Sequence, residues 1–231
     1  MAKPTVVVVG ADKGGVGKTT VSRTLLDYFT AHHVPTRAFD TESPKGTLKR
    51  FHPDIAEIVD VTSVADQMRI FDTLSSTDAS VTVIDVRAGL LSPTLRSLRD
   101  IGFSRRGEEA TDAKYFLVKN FINNTSFFEW DQATHASYFR KFKDAIEITI
   151  PKLNEMAYEQ VELASVPFLT FVANKLASGD AANYSFVLRG YVRHWLGNVW
   201  GEYDRIKLNE IVATAAAAPA GPPRVQVAGR S

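Results

Sequence analysis

Eleven residues near the start of the chain, GADKGGVGKTT (10–20), constrain its fold more than any other stretch. They follow directly on TVVVV (5–9), an apolar, β-branched run of the kind that forms a strand buried on both faces. A strand that ends in a glycine-rich turn opening a helix leaves backbone N–H groups pointing into one concavity. The helix dipole adds partial positive charge there, and glycine lets the main chain approach oxygens closely. Lys13 and Lys18 bring two ammonium groups to the same turn, bracketed by Gly14, Gly15 and Gly17 and closed by Thr19 and Thr20. Such a turn asks for a ligand dense in negative charge. Lys18 is expected to reach terminal phosphates and the Thr19 hydroxyl to ligate Mg²⁺. The strict spacing G-x-x-x-x-G-K-[ST] is missed by one residue, because Asp12 stands at the first glycine.

Strands and helices are expected to alternate along the rest of the chain. Apolar runs at 36–40 (TRAFD), 81–86 (VTVIDV), 114–121 (KYFLVKNF) and 145–150 (AIEITI) read as strands. Helical spacing of apolar residues appears at 18–31, 63–74, 93–99, 129–142, 152–163 and 184–207, the last with Gly190, Gly197 and Gly201 inside it. Alternation of this kind predicts an α/β fold, a mostly parallel sheet with helices on both faces and the phosphate loop after its first strand. Residues 1–212 are expected to form one domain. Residues 213–231, ending in AAAAPAGPPRVQVAGRS, carry too little apolar content to pack and are expected to be a disordered tail.

Composition narrows the function classes. At 231 residues with 45% apolar and 23% charged content, the chain has enough material for a sizeable core. Net charge is +1, so any basic surface must be local. Without cysteine there are no disulfides, thiolate zinc sites or cysteine-held iron–sulfur clusters. The opening MAKPTVVVVG has too short an apolar run for a signal peptide, and no stretch approaches a membrane span, so a cytoplasmic location is expected. Histidines are scattered, and the adjacent His32 and His33 face different ways on a helix.

The segment KGGVGKTT resembles the deviant Walker A motif of the ParA/MinD family of P-loop ATPases. The resemblance implies a fold of the P-loop NTPase type and a nucleotide-binding loop made by Asp12, Lys13, Gly14, Gly15, Val16, Gly17, Lys18, Thr19 and Thr20. In that family the extra lysine reaches across a nucleotide-sandwiched dimer to the partner's phosphates. Carried over, Lys13 acts in trans and Lys18 in cis, Lys18 and Thr20 hold phosphates, and Thr19 holds the metal. ATP would join two copies and hydrolysis would part them. DTES (40–43) stands where the family has D-x-D, so Asp40 matches its first aspartate and Glu42 replaces its second. Either would orient the attacking water. A glutamate sets its carboxylate one bond further out, which implies slow or altered hydrolysis.

Asp85, closing VTVID, matches the Walker B aspartate, which the resemblance implies contacts Mg²⁺ through water, and with Thr19 and Asp40 it completes the implied Mg²⁺ set. DVRAG (85–89) is similar to the family's switch segment, with Arg87 in place of a proline and expected to be solvated. For adenine the resemblance offers Asn120, with Asn174 as a second candidate, and Pro151 beside the base. The implied activity is ATP hydrolysis by a homodimer that positions DNA or a protein cargo, helped by a small DNA-binding or cargo adaptor. Non-specific DNA binding would draw on Arg96, Arg99, Arg105 and Arg106, on Arg140, Lys141 and Lys143, or on Arg189 and Arg193. No basic amphipathic helix ends the chain, so membrane targeting is not expected. Two alternatives stay open: a P-loop small-molecule kinase or ligase, and a nucleotide-binding regulatory module with little turnover.

Overall fold

A computed structural model describes residues 5–11, 13–75, 79–94, 116–120 and 146–217. Six strands are formed there: β1 (Thr5–Val9), β2 (Thr36–Asp40), β3 (Ala56–Ile58), β4 (Val81–Asp85), β5 (Phe116–Asn120) and β6 (Ile146–Ile150). Between and after them lie α1 (Lys18–Ala31), α2 (Thr47–Phe51), α3 (Val64–Ser75), α4 (Glu155–Ala164), α5 (Phe168–Val172), α6 (Phe186–Arg205) and α7 (Leu208–Ala217). Four strands make one ladder in the order β1-β4-β2-β3, and β5 pairs with β6; every one of these pairings is parallel. The fold is α/β with a parallel sheet, as the alternating pattern predicts.

The sheet is apolar on both faces because each strand splits its side chains between two cores. On one face Ala38, Val81 and Val83 join Val21, Leu25, Leu26 and Phe29 of α1 and Val192, Trp195, Leu196, Val199 and Tyr203 of α6. On the other, Phe39 and Ile84 pack with Val59, Val61, Val86 and Ile70 of α3. In β1, Val7 and Val9 serve the first core and Val6 and Val8 the second. Leu26 and Phe29 are wholly buried, and each such side chain contributes about 1.5–3 kcal/mol. Helices therefore cover both faces, and α1 is locked against the sheet immediately behind the glycine turn.

Register places three strand ends together. Val9 of β1 and Asp40 of β2 both stand opposite Asp85 of β4. The carboxyl edge of the sheet thus gathers the glycine turn and two carboxylates in one place, the location where open α/β sheets take ligands.

Several expectations differ in extent. Helix α6 runs through Gly190, Gly197 and Gly201 and stops at Arg205; after Ile206 and Lys207, the latter at φ 56°, the chain starts again as α7. The expected boundary between residues 212 and 213 falls inside α7, and the tail beyond Ala217 lies outside the described residues. The helix expected at 129–142 and most of that at 93–99 also lie outside them. Among the described residues, no helix is long and apolar enough to cross a membrane.

Candidate functional site

The turn after β1 is shaped by two left-handed glycines, Gly15 at φ 73° and Gly17 at φ 88°. Gly17 is the N-cap of α1 and supplies no side-chain cap, so the first turn of that helix opens onto the loop. A Cβ added at Gly15 would meet no heavy atom within 4 Å, which leaves that side of the loop clear for a ligand. Lys13, Gly14 and Gly15 are exposed, whereas Val16, Gly17, Lys18 and Thr19 are half-buried. The Lys18 ammonium turns back across the loop and donates to the Lys13 carbonyl at 2.7 Å. Asp12 lies outside the described residues.

Below the loop, α1 and β4 meet through hydroxyl–carboxylate contacts. Thr19 Oγ1 donates to Asp85 Oδ2 at 2.8 Å and Ser22 Oγ donates to Asp85 Oδ1 at 2.9 Å. Burial pushes the Asp85 carboxyl up to about 6; the two hydroxyls and Lys18 oppose that shift, and Asp40 adds to it. Thr19 and Asp85 are hard oxygen donors within one hydrogen bond of each other, a donor pair that fits Mg²⁺.

Asp40 is held differently. Its Oδ1 accepts from the Glu42 N–H at 2.9 Å, and its Oδ2 from the Leu48 and Lys49 N–H groups at 2.6 and 3.1 Å. The carboxylate thereby caps α2, whose own N-cap, Gly46, has no side chain to offer. Glu42 accepts from the Thr47 hydroxyl, and its carbonyl accepts from Gly46 N–H at 2.8 Å. Both carboxylates thus brace the β2–α2 loop. Thr41 links that loop to the segment after β4: its N–H donates to the Asp85 carbonyl at 3.1 Å and its hydroxyl accepts from Arg87 N–H at 2.7 Å. Arg87 itself is exposed.

The segment after β4 lies over the glycine turn. Ala88 Cβ would be 3.9 Å from a Cβ at Gly14, and Leu91 Cδ1 only 2.4 Å from one at Gly10. Only glycine at position 10 leaves Leu91 its place. Gly89 adopts φ 78°, so the chain turns sharply four residues after Asp85.

A cavity of about 140 Å³ opens beside Thr20 and is lined by Ile150, Pro151, Leu153, Tyr158 and Trp195 among others. The Trp195 indole N–H donates to the Pro151 carbonyl at 2.6 Å, which fixes one wall. Asn120 stands in ladder register with Ile150, next to Pro151 in the chain. Asn174 is committed to a loop: at φ 59° it accepts from Tyr184 N–H at 3.0 Å through its side chain and from Ala182 N–H at 2.8 Å through its carbonyl. Of the basic residues, Arg189 is half-buried and donates to the Val172 carbonyl, while Arg193 is exposed. The clusters at 96–106 and 140–143 lie outside the described residues.

Sequence reasoning missed Ser22 and Thr41. Ser22 sits three residues after Thr19, on the same side of α1, a spacing that brings both hydroxyls to one strand end. No comparable signal marks Thr41, whose role depends on the neighbouring strand.

Compared with known proteins, the chain matches no protein-family model and no curated protein. Among solved structures it is similar to the MinC:MinD cell division protein complex of Aquifex aeolicus, at 12% identity and a TM-score of 0.41, over 94% of this chain and 98% of that one.

Proposed function

We propose that this chain is an ATPase that binds Mg²⁺-ATP at the turn after β1 and pairs with a second copy while the nucleotide is bound, in the manner of ParA-like positioning proteins. The observation that carries the reading is the convergence of Lys18, Thr19 and Asp85 on a loop with left-handed Gly15 and Gly17. In it, the loop's main-chain amides and the N-terminus of α1 cradle phosphate oxygens, and the Lys18 ammonium moves from the Lys13 carbonyl to the terminal phosphates. Thr20, which lines the cavity beside Pro151, stands between phosphates and base. Thr19 and Asp85 would hold Mg²⁺, which supplies charge neutralisation on the phosphates. Lys13, exposed on the loop rim, would reach the phosphates of the second copy.

Glu42 is the residue to orient water, with Asp40 setting the loop that carries it. As both carboxylates start out engaged with α2 and its approach, turnover would need that loop to loosen, and a slow, adaptor-stimulated ATPase fits. DNA or a protein would serve as cargo, recruited through a small adaptor, with Arg193 an exposed basic residue of α6 that a phosphate backbone could meet. The same engagement of Asp40 and Glu42 favours the second reading, a regulatory module that binds nucleotide and hardly hydrolyses it.

Light scattering separates the two classes of behaviour. With a non-hydrolysable ATP analogue and Mg²⁺, the mass should double, and Lys13→Ala should remain monomeric with nucleotide bound. A mass that stays monomeric in both proteins, with analogue bound, contradicts the dimerising ATPase.

A further inference from the structure

The proposed metal site has a residue beneath it that the glycine-loop motif does not include. Asp85 is 5% exposed, and each of its carboxylate oxygens takes one hydroxyl from α1, Thr19 on Oδ2 and Ser22 on Oδ1. The two donors are not equivalent. Thr19 is half-buried in the turn that faces the loop, so its hydroxyl has somewhere else to go. Ser22 lies one turn deeper and is 0% exposed, so its hydroxyl is out of reach of any ligand on the loop.

The backbone of Asp85 is already fixed. It stands in register between β1 and β2, and its carbonyl accepts from Thr41 N–H. What remains free is the side-chain rotation, and the Ser22 hydroxyl sets it. Serine is a poorer helix former than alanine, and in a helix its hydroxyl usually bonds a preceding carbonyl or solvent. Here it reaches across to a strand end instead.

We propose that Ser22 is a positioning residue for divalent-ion binding: by holding Asp85 Oδ1 it leaves Oδ2 as the oxygen presented to the ion once Thr19 turns its hydroxyl away. The inference rests on the nucleotide reading above and concerns which atom of Asp85 serves it. Partners that orient a metal-binding carboxylate typically change metal affinity about 10- to 100-fold when removed. Ser22 would act on the ion and not on the nucleotide itself.

The test is equilibrium binding of a fluorescent ATP analogue to the full chain, in EDTA and across a Mg²⁺ titration, with thermal unfolding recorded for each protein. Ser22→Ala should bind the analogue in EDTA as the parent does, yet need about 10- to 100-fold more Mg²⁺ to reach the tightened state. Ser22→Thr keeps the hydroxyl and should return the Mg²⁺ midpoint towards the parent value. A purely packing role predicts the reverse order, since the extra methyl overfills a closed site while alanine fits it. Should Ser22→Ala not fold, Ser22→Cys, with its weak donor, carries the same comparison and should shift the midpoint the same way. A midpoint within about twofold of the parent in a folded Ser22→Ala protein overturns the inference alone. A parent chain that shows no Mg²⁺-dependent binding overturns the nucleotide reading and the inference together.

Discussion

At the scale of single residues, the two buried groups Asp27 and His52 make the protein's acid response readable. Burial raises the Asp27 carboxyl from 3.8 to about 7, against the opposing pull of Arg23 and the Leu169 and Phe168 N–H groups. Burial, helped by Arg23, lowers His52 from 6.5 to about 3. Between about pH 4 and 7 folded Asp27 keeps a proton that the unfolded chain has lost, so its contribution to stability falls as pH rises. Between about pH 3 and 6.5 folded His52 refuses a proton that the unfolded chain accepts, so its contribution rises with pH. Over the shared window the two oppose each other, each by at most about 1.4 kcal/mol per pH unit. Relative to the parent, Asp27→Asn should therefore gain stability as pH climbs from 4 to 6.5, and His52→Gln should lose it. Urea midpoints across that range check both slopes. Parallel curves for the three proteins would contradict the assignment.

Among the elements, α1 does two jobs with one sequence. Its first turn faces the phosphate loop, and its next turn holds Arg23, which is 1% exposed and lies between the rings of Phe51 of α2 and Phe168 of α5, at 3.4 and 4.1 Å from their centroids. Glu162 of α4 pairs with Arg23 at 2.6 Å and with Arg50 at 2.7 Å. Removing Glu162 strands the buried Arg23 charge, whereas replacing Arg23 by an apolar side chain leaves Glu162 part-exposed and still paired with Arg50. Glu162→Ala should thus cost about 3 kcal/mol in urea unfolding, the lower end for such a pair because Glu162 is 28% exposed. Arg23→Met should stay within about 1 kcal/mol of the parent or exceed it. The opposite order would contradict the clasp.

The elements also show what was readable in advance and why. β1, β2, β4, β6 and α1 are long enough for period and β-branching to declare them, and they bring Lys18, Thr19 and Asp85 together. α2 and β3 are five and three residues long, too short for a periodic signal. The cap of α2 comes from Asp40 at the end of β2, across the intervening loop, so no residue at the helix start marks it. The same closure of the β2–α2 loop is why Asp40 reads from sequence as an open site carboxylate yet accepts three backbone N–H groups in the fold. At the other end, the alanines at 215–217 suggest too little apolar surface to pack, but alanine is the best helix former and they close α7.

For the molecule as a whole, one edge of the sheet gathers the groups on which the proposed chemistry depends. Parallel register sets the glycine turn, Asp85 and Asp40 side by side there, and the segment from Arg87 to Leu91 lies across the turn. Everything proposed about pairing of copies and about the role of Ser22 presumes that this edge takes the phosphates of a nucleotide. Calorimetric titration of the intact chain with Mg²⁺-ATP tests that most directly. One saturable site per chain in the parent, lost in Lys18→Ala while that variant's thermal unfolding stays close to the parent's, is the predicted result. No uptake by the parent, or equal uptake by Lys18→Ala, would contradict it.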